Sequence, residues 1–500
     1  MSELMEKIKT TTEMCYKIAT ERIRAGLMSF VVLTSIYLLG IVSIIRANFK
    51  YIDDLGRVFS GYKGWDDFSR FTSYGLSAFI HADNYLTDIS PIPQILACIL
   101  LGIAGTIAIA VLKRKDSKIT VWHIVAMIPL GLSPYFLECL SYKYDSVYMA
   151  LSVLAAVLPM AFIESGYIVF GIASILGTLL MLTTYQASSG IFPMIIILWT
   201  AKQLCEKSEN KPIFLKTGVA AGGYLLAMIV DKLFIIREVD EYVSSSIAPF
   251  GDIIRQFKDY YIQVYADFKK WWLALIAVIV ILYIVMYVYA SKRRKVVACV
   301  IGALTVALCI IFAFGMYPVL KSASYYPRAM YGFGVMIALI SVSAVDFDKS
   351  YPSRICAVML GWTFLVFAVS YGNALSEQQI YTQMRVEAVV NDLIEIDAIK
   401  DEEPVVLQLD GTIGKAPSIR NTPQEAYGIL DRLVPETFAG DWKWSKFYFY
   451  NYFGLGITED RQINLSEMNL PVIKDTLFHT IRGKDHEILI ELKGSEGENN

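Results

Sequence analysis

The sequence predicts an α-helical integral membrane protein with a small α/β domain at its C-terminal end. Of its 500 residues, 55% are hydrophobic and only 18% are charged, and the mean hydropathy is +0.47. Soluble domains are about 45–50% apolar and about 25% charged, so this balance is typical of a membrane protein. Long apolar runs fill the chain up to Tyr371, where a soluble composition begins. We therefore expect a membrane domain in residues 1–371 and a C-terminal domain in residues 372–500.

Eleven apolar runs come close to the length of a membrane-spanning helix, which needs about 20 predominantly apolar residues. The first run is too long for the apolar part of a signal peptide and lacks a small-residue cleavage site, so we interpret it as an uncleaved span. The runs are residues 25–45, 91–112, 119–137, 147–163, 167–182, 187–204, 217–230, 271–290, 296–320, 329–345 and 355–370.

The charges of the connecting segments predict the side of the membrane that each segment occupies. Short cytoplasmic loops are enriched in Lys and Arg. With a cytoplasmic N-terminus, six segments fall inside, and four of the six are visibly basic; they are the N-terminus and residues 113–118, 164–166, 205–216, 291–295 and 346–354. Eleven spans then place the C-terminal domain outside, and a single miscounted span would break the agreement at several loops. The outer connections are longer or richer in polar and aromatic residues, so we expect function on that face.

Two regions outside the spans also predict structure. Residues 66–80 place apolar side chains at roughly helical spacing, as expected of a helix that lies in the membrane interface. In the C-terminal domain, residues 376–399 predict an amphipathic helix. The segments PVVLQL and HEILIEL predict strands, with a hairpin turn at residues 482–485.

Several classes of site are not indicated. A net charge of −2 gives no reason to expect nucleic-acid binding, and the seven cysteines form no CxxC pair and no disulfide-rich pattern. His81 and His123 are isolated histidines, for which hydrogen-bonded packing is a better interpretation than metal binding. No cofactor is predicted with certainty, although the acid pair described next leaves a divalent metal open.

Two adjacent carboxylates, Asp53 and Asp54, follow the first span in the sequence YIDDLGRVFSGYKGW. Solvated acids just outside a membrane are common, but here Arg57 and several aromatic residues accompany the pair. Adjacent carboxylates repel each other, so at a partly dehydrated surface the pKa of one should rise toward the working pH. Such an acid is suited to removing a proton from a hydroxyl nucleophile. We expect Arg57 to orient the pair.

A second candidate segment is SPYFLECLSYKYDS, residues 133–146. Its proline should break the third span and bring Glu138, Tyr142, Lys143 and Asp145 to the level of Asp53. The alternative is that the lysine and the tyrosines only anchor the chain in the membrane interface.

A third candidate segment, KSASYYPRAMYGFG, contains Lys321, Tyr325 and Arg328 at an outer surface where topology does not require positive charge. A phosphate at headgroup level would explain these cations, because Arg offers a two-point fork and Lys a point charge. Interfacial snorkelling of the long side chains is the alternative. We include Tyr325 and His81 among the supporting residues.

Together these segments resemble the polytopic glucosyltransferases of the GT-C class known from phage-encoded modification of bacterial O-antigen. The resemblance rests on NFKYIDDLGR and GYKGW, on SPYFLECLSYKYDS, and on YPRAMYGFG, and it extends over residues 25–375. It implies a GT-C-like fold and transfer of a hexose, commonly glucose, from a polyprenyl phosphate to a glycan on the outer face of the bacterial cytoplasmic membrane. GT-C enzymes invert the anomeric centre with an acid of the first outer loop, which matches Asp53 or Asp54.

The residues and the resemblance together assign roles. Asp53 or Asp54 is the expected base, with Arg328 first, and Lys321 or Lys143 second, as ligands of the departing phosphate. The expected partners are the lipid-linked sugar donor, the glycan acceptor, the bilayer, and a companion polyprenyl-phosphate glucose synthase and flippase. One alternative is a lipid-linked sugar flippase or other transporter, although transporters place charges at mid-membrane and these spans nearly lack them. Another is a non-catalytic assembly factor whose C-terminal domain binds glycan.

Overall fold

Helices dominate the structure. The computed structural model describes residues 2–115, 117–206, 209–236, 246–396, 405–420, 428–454, 457–458, 464–484 and 487–494, with side chains from residue 24 onward. The helices that precede the first strand are α1 (Ser2–Ala47), α2 (Asp54–Ser60), α3 (Phe71–Ile80), α4 (Ile92–Leu112), α5 (Val121–Met127), α6 (Pro129–Leu132), α7 (Pro134–Ser141), α8 (Ser146–Val157), α9 (Tyr167–Leu182), α10 (Ile191–Cys205), α11 (Asn210–Val230), α12 (Phe250–Asp267), α13 (Lys270–Ala290), α14 (Lys295–Phe312), α15 (Pro327–Met330), α16 (Gly332–Val345) and α17 (Tyr351–Glu395).

Within the described residues, eight helices are long and apolar enough to cross a membrane. They are α1 from Arg24 onward, α4, α10, α11, α13, α14, α16 and α17, with the short turns that extend α10, α11 and α16 included. A further candidate span is the pair formed by α5–α6 and α7, and two shorter apolar helices contain α8 and α9. Each of the eleven apolar runs coincides with one of these helices or pairs. The chain is therefore a helical membrane protein, as the sequence predicts.

The predicted break in the third apolar run is confirmed. Helix α6 ends at Leu132, Ser133 is extended, and α7 begins at Pro134, with a bend of 59° between the two parts. Proline disfavours a helical conformation in the residue before it, which explains the extended Ser133. The bend sends α7 into the loop of residues 142–145.

Helix α14 is shorter than the apolar run that predicts it, because it ends at Phe312 and not near residue 320. Gly315 adopts a φ of 57°, and a Cβ atom there would lie 2.3 Å from the Ser189 hydroxyl. Only glycine fits this left-handed turn and this close approach. The end of the run therefore connects two helices instead of extending a span.

Helix α3 matches the helix predicted in residues 66–80, but its polar side is buried against protein. Ser73 and Ser77 are buried, and the Ser73 hydroxyl donates to the carbonyl of Thr184 at 3.2 Å. Phe79 is 83% exposed. Phe79 therefore remains exposed, although Leu76 and Ile80 of the apolar side also pack in part on protein.

The C-terminal region continues from the last membrane helix without a break. Helix α17 runs from Tyr351 to Glu395, so the boundary expected at residue 371 lies inside one continuous helix. Five strands form a mixed sheet of order β2-β1-β5-β4-β3, in which β1 is parallel to β2 and β5, and β4 is antiparallel to β3 and β5. Its elements are β1 (Val405–Gly411), α18 (Pro417–Arg420), α19 (Leu430–Leu433), α20 (Phe447–Phe453), β2 (Ile457–Thr458), β3 (Val472–Asp475), β4 (His479–Lys484) and β5 (Glu487–Leu492).

The predicted strands and hairpin are confirmed, with a shift of the turn. PVVLQL and HEILIEL correspond to β1 and β5, and the amphipathic helix forms the end of α17. The turn was expected at residues 482–485, but Arg482, Gly483 and Lys484 lie in β4 and pair with β5. The connecting residues 485–486 lie outside the described chain.

The helix bundle has two ends of different character. Residues 48–90, 142–145, 183–190 and 313–326 meet the C-terminal domain at one end, which we term the tail end. The basic connections around residues 113–118 and 291–295 meet the segment of residues 346–350 at the other, which we term the basic end. The loops that the charge pattern places on one side of the membrane therefore share one end of the bundle.

The C-terminal domain shares a hydrophobic core with the membrane helices. Ile429, Leu430, Leu433 and Val434 belong to the same buried cluster as the residues of the bundle. A second cluster joins the end of α17 to the sheet and includes Leu55 of α2. The domain is thus packed onto the tail end and is not held by α17 alone.

Candidate active site

A strained loop and helix α2 place the acid pair at the tail end. After α1 ends at Ala47, the backbone takes positive φ values at Asn48 (49°) and Ile52 (46°). Such a conformation costs a β-branched residue on the order of 1–3 kcal/mol, and strain of this kind concentrates at functional sites. The loop delivers Asp53 and Asp54 to the start of α2.

Asp54 is completely buried and joins two loops. Its Oδ2 atom accepts hydrogen bonds from the backbone N–H groups of Tyr51 and Lys143, both at 3.0 Å. Burial raises the pKa of this carboxyl to about 8; the Lys143 N–H and Arg57 oppose the rise, and the Asp145 carboxylate adds to it. The expected rise of one pKa is therefore found at Asp54, with burial and not repulsion within the pair as its main cause.

Asp53 differs from its neighbour in being only half-buried. Its Oδ1 atom accepts a long hydrogen bond of 3.4 Å from the indole N–H of Trp444 in the C-terminal domain. Different environments let two nearby carboxylates take different roles. Asp54 lies inside the protein and accepts two backbone hydrogen bonds, whereas Asp53 is partly exposed.

Arg57 binds across to the loop after α7. Its Nη1 atom donates to Asp145, whose other carboxylate oxygen accepts the indole N–H of Trp65. The guanidinium also lies 4.4 Å from the centre of the Trp65 ring, within cation–π distance. Arg57 and Asp145 are both at least 95% buried, and buried charges are stable only when paired. Arg57 therefore positions the helix that carries the acids and does not bind either acid directly.

Glu138 holds Arg328 at two points. One carboxylate oxygen accepts the backbone N–H of Arg328 at 2.5 Å, and the other accepts its Nη1 at 2.8 Å. The side chain of Glu138 is 2% exposed, whereas that of Arg328 is 19% exposed. The carboxylate thus fixes the position of the guanidinium while part of it stays at the surface of the site.

Tyr142 lies between the acid pair and this arginine. Its ring packs edge to face on Tyr51, with the ring centres 4.9 Å apart. Burial raises the pKa of Tyr142 well above its ordinary value; the charge of Arg328 opposes the rise, and those of Glu138 and Asp53 add to it. The guanidinium of Arg328 lies 6.0 Å from the centre of the Tyr142 ring, and Asp53 lies two residues along the chain from Tyr51, on which that ring packs.

Lys143 is buried on a different side of the acid pair. Its ammonium group donates to Asn48 at 2.5 Å and to Asp88 at 2.8 Å, and the side chain is 4% exposed. It also lines a cavity of about 150 Å³ between the ends of α1 and α4. The two cations expected at a phosphate thus have separate acidic partners, Asp88 for Lys143 and Glu138 for Arg328.

Three other predicted residues lie around this cluster. Lys321 is exposed, and Tyr325 is half-buried with its ring 4.6 Å from that of Tyr260. His81 is buried and stacks on Tyr144, with 5.8 Å between the ring centres, and burial lowers the pKa of His81. The structure therefore gathers the other eight predicted residues and leaves these three at the edge.

The C-terminal domain contributes groups that the sequence analysis does not identify. The carbonyl oxygen of Leu433 accepts hydrogen bonds from the hydroxyls of Tyr51 at 2.7 Å and Tyr371 at 3.1 Å. The adjacent Arg432 forms an ion pair with the buried Asp267 of α12. No sequence pattern marks a backbone carbonyl such as that of Leu433. Trp444 could have been noticed, because eight of the twelve residues from 442 to 453 are aromatic.

In the part of the chain that the structure describes, no three His, Cys, Asp or Glu side chains are grouped so that they could hold a metal ion. Sensitivity of the purified activity to a chelator would test metal dependence directly.

Comparison with known proteins identifies the family. A family model described as "Glucosyl transferase GtrII" matches residues 42–339, which contain all of the predicted site residues. A protein of Salmonella phage P22, described as "Uncharacterized 55.3 kDa protein in gtrB 5'region", is 24% identical over 424 residues, which is 79% of this chain and 84% of that protein. No solved structure matches the chain. Because the family match covers more than half of its length, the chain belongs to the GtrII glucosyl transferase family.

Proposed function

We propose that this protein transfers a glucosyl group from a polyprenyl-phosphate donor to a cell-envelope glycan such as O-antigen. The observation that carries the proposal is the two-point contact of Glu138 with the partly exposed Arg328, which lies 6.0 Å from the centre of the Tyr142 ring, at the same end of the apolar helix bundle as the half-buried Asp53. A site at this level is within reach of a phosphate whose lipid chain lies in the bilayer. With the basic end in the cytoplasm, the tail end faces the outside of the bacterial cytoplasmic membrane.

The reaction is a single displacement that inverts the anomeric centre. The acceptor hydroxyl oxygen attacks the anomeric carbon of the donor while the bond from that carbon to the phosphate oxygen breaks. Asp53 takes the proton of the hydroxyl, which makes it the general base. The bonding electrons leave with the phosphate, whose growing negative charge Arg328 stabilises.

Arg328 is suited to this task because Glu138 holds it in place. A guanidinium has five N–H donors, so binding to Glu138 is compatible with binding to a phosphate oxygen. Orienting the donors in advance avoids reorganisation during the reaction, which is the source of such electrostatic stabilisation. Asp54, Arg57 and Asp145 act indirectly, since they fix α2 and thereby Asp53.

The donor and acceptor require companion activities. A polyprenyl-phosphate glucose synthase would charge the lipid on the cytoplasmic side, and a flippase would bring it to the outer face. The name of the phage relative places it next to gtrB, which supports a search for such companions beside the gene for this chain.

The test is replacement of each acid by asparagine, which keeps the shape of aspartate but cannot take the proton. We expect Asp53→Asn to reduce transfer by about 10²–10⁴-fold, the range for loss of a general base. Asp83→Asn, at an exposed acid of the same loop, is the matched control and should keep wild-type transfer. Transfer is measured with protein in membranes, charged polyprenyl phosphate and envelope glycan, with mass spectrometry of the product.

Two outcomes would contradict the proposal. Wild-type turnover by Asp53→Asn would remove Asp53 as the base. Normal glycan modification by the Asp53→Asn, Asp54→Asn double variant would favour a non-catalytic assembly factor, and movement of the lipid-linked sugar without transfer would favour a transporter.

A further inference from the structure

Helix α2 has a second face, which is directed at the C-terminal domain. Asp53, Gly56 and Phe59 recur every three residues and so lie along one side of the helix. All three contact the aromatic segment of residues 442–453. The side that carries the proposed base is therefore covered by aromatic rings.

Trp444 is the ring next to Asp53. Its indole N–H donates to Oδ1 of Asp53 at 3.4 Å. A Cβ atom on Gly56 would lie 2.9 Å from the indole, so glycine at this position lets the ring lie directly against α2. The ring of Tyr62 is 5.5 Å away between centres.

Two further rings continue this contact, of which Phe447 is buried and Phe59 is partly exposed. Phe447 stacks on Trp444 with 5.4 Å between the centres, and Phe59 stacks on Phe447 at 4.3 Å. Phe59 is nevertheless 43% exposed. We term Phe59, Tyr62, Trp444 and Phe447 the aromatic platform.

A surface lysine lies against the ring of Trp444. The Lys443 ammonium group lies 4.3 Å from the centre of the indole, and Lys443 is exposed. A cation–π contact at an exposed site contributes only about 0.5–1 kcal/mol. A ligand can therefore displace this lysine at small cost.

We propose that the aromatic platform is the acceptor subsite, where a pyranose ring lies with its C–H face on Trp444 and presents one hydroxyl to Asp53. A pyranose has an apolar face of C–H groups and an edge of hydroxyls. Aromatic rings match the face, and a carboxylate oxygen accepts from the edge. This inference rests on the proposed function, because it assumes that Asp53 is the base. Trp444 then has two tasks: its face binds the sugar, and its N–H orients Asp53.

The test measures sugar binding separately from transfer. Full-length protein in lipid nanodiscs is mixed with methyl glycosides of glucose, galactose, mannose and rhamnose, and saturation-transfer NMR is recorded while the aromatic protons are saturated. We expect ring C–H signals from at least one glycoside in the wild-type protein. Trp444→Leu should weaken that binding roughly three- to tenfold, as loss of one aromatic contact does. Trp442→Leu makes the same change two residues away and should leave binding unaltered.

A second variant separates the two tasks of Trp444. Trp444→Phe keeps an aromatic face but removes the N–H, so sugar affinity and the acceptor KM should stay near wild type while kcat falls. Thermal unfolding of each variant checks that the fold persists.

Three results would overturn the inference. They are the absence of signals from every glycoside, equal losses in Trp444→Leu and Trp442→Leu, and a loss of donor binding instead of sugar binding in Trp444→Leu. A different result is also distinguishable. If glycoside binding depends on Trp444 but the Asp53→Asn variant still transfers sugar, the subsite stands and Asp53 is not the base.

Discussion

Both ends of the helix bundle hold positive charge in place, but they bind it to different partners. At the basic end, Lys202 donates to the carbonyls of Val111 and Lys113 at 2.6 and 3.0 Å, and Arg293 donates to that of Leu204 at 2.6 Å. These carbonyls lie at the C-terminal ends of α4 and α10. At the tail end the cations meet carboxylates from other elements: Arg57 with Asp145, Lys143 with Asp88, Arg328 with Glu138, and Arg432 with Asp267.

The difference shows that lysine and arginine side chains serve two purposes in this fold: they complete helix ends, and they join separate elements. The last carbonyls of a helix lack partners within it, and the helix dipole favours a cation there. Basic residues at the basic end therefore complete helix ends. At the tail end, each pair joins two elements and fixes their relative position, as a precise site requires.

The largest expected effect is the loss of a buried ion pair at the tail end. Asp145→Asn leaves the charge of Arg57, which is 4% exposed, without its carboxylate. Breaking a buried pair in this way costs about 3–5 kcal/mol. The exposed pair Arg114–Asp348 at the basic end is the control, since Asp348→Asn should cost only about 0–1 kcal/mol. Thermal unfolding in detergent compares the Asp145→Asn and Asp348→Asn variants. Equal losses of stability in the two variants would contradict the difference expected between the two ends.

The next effect concerns activity. Arg328→Ala should lower turnover by about 10²–10³-fold, as loss of one stabilising donor does in other enzymes. Arg328→Lys should recover only part of it, because lysine lacks the two-point fork. Arg293→Ala, which removes an arginine from the basic end, should keep wild-type turnover per folded molecule. Unchanged donor affinity and turnover in Arg328→Ala would remove this residue from the site.

The effect that is smallest over a single pH unit is a difference in pH dependence between one buried acid at each end. Because burial raises the pKa of Asp54 to about 8, the folded protein binds a proton between about pH 4 and 8 that the unfolded chain has released. Stability should therefore fall as pH rises through this window, by at most about 1.4 kcal/mol per pH unit. At the basic end, burial acts to raise the pKa of Asp346, but hydrogen bonds from His123, Ser117 and the Arg114 N–H outweigh it and lower the pKa. The contribution of Asp346 to the free energy of unfolding is thus present above about pH 4 and lost only in more acidic solution.

Thermal unfolding at several pH values between about 5 and 8 checks this difference. Asp54→Asn should reduce the fall in stability with rising pH. Asp346→Asn should lower stability at every pH in the window without changing the slope. Parallel curves for wild type and Asp54→Asn would contradict the assignment.

The membrane helices could be predicted because crossing a bilayer imposes a length and a composition that are visible locally. The bend at Pro134 could be predicted for a similar reason, since proline acts on its immediate neighbour. The end of α14 at Phe312 could not, because it depends on the approach of Gly315 to Ser189, which is distant in sequence.

The residue types of the site were recognisable, but their pairing was not. Glu138 and Arg328 are separated by 190 residues, and Arg57 and Asp145 by 88. The local sequence does not show which of the two aspartates is buried. Asp54 is the buried one because its carboxylate accepts the backbone N–H of Lys143, which is distant in sequence. The roles of the two acids therefore become visible only in three dimensions.

The carbonyl of Leu433 has a consequence for biosynthesis. It receives the hydroxyl of Tyr51, which follows the first membrane helix, and that of Tyr371 from the last. Tyr51 is synthesised early, Tyr371 late and Leu433 later still. A nascent chain that has inserted all its membrane helices therefore still lacks the Leu433 carbonyl that joins the two tyrosines. We expect sugar transfer to begin only after the C-terminal domain has folded onto the bundle, so that incomplete chains stay inactive.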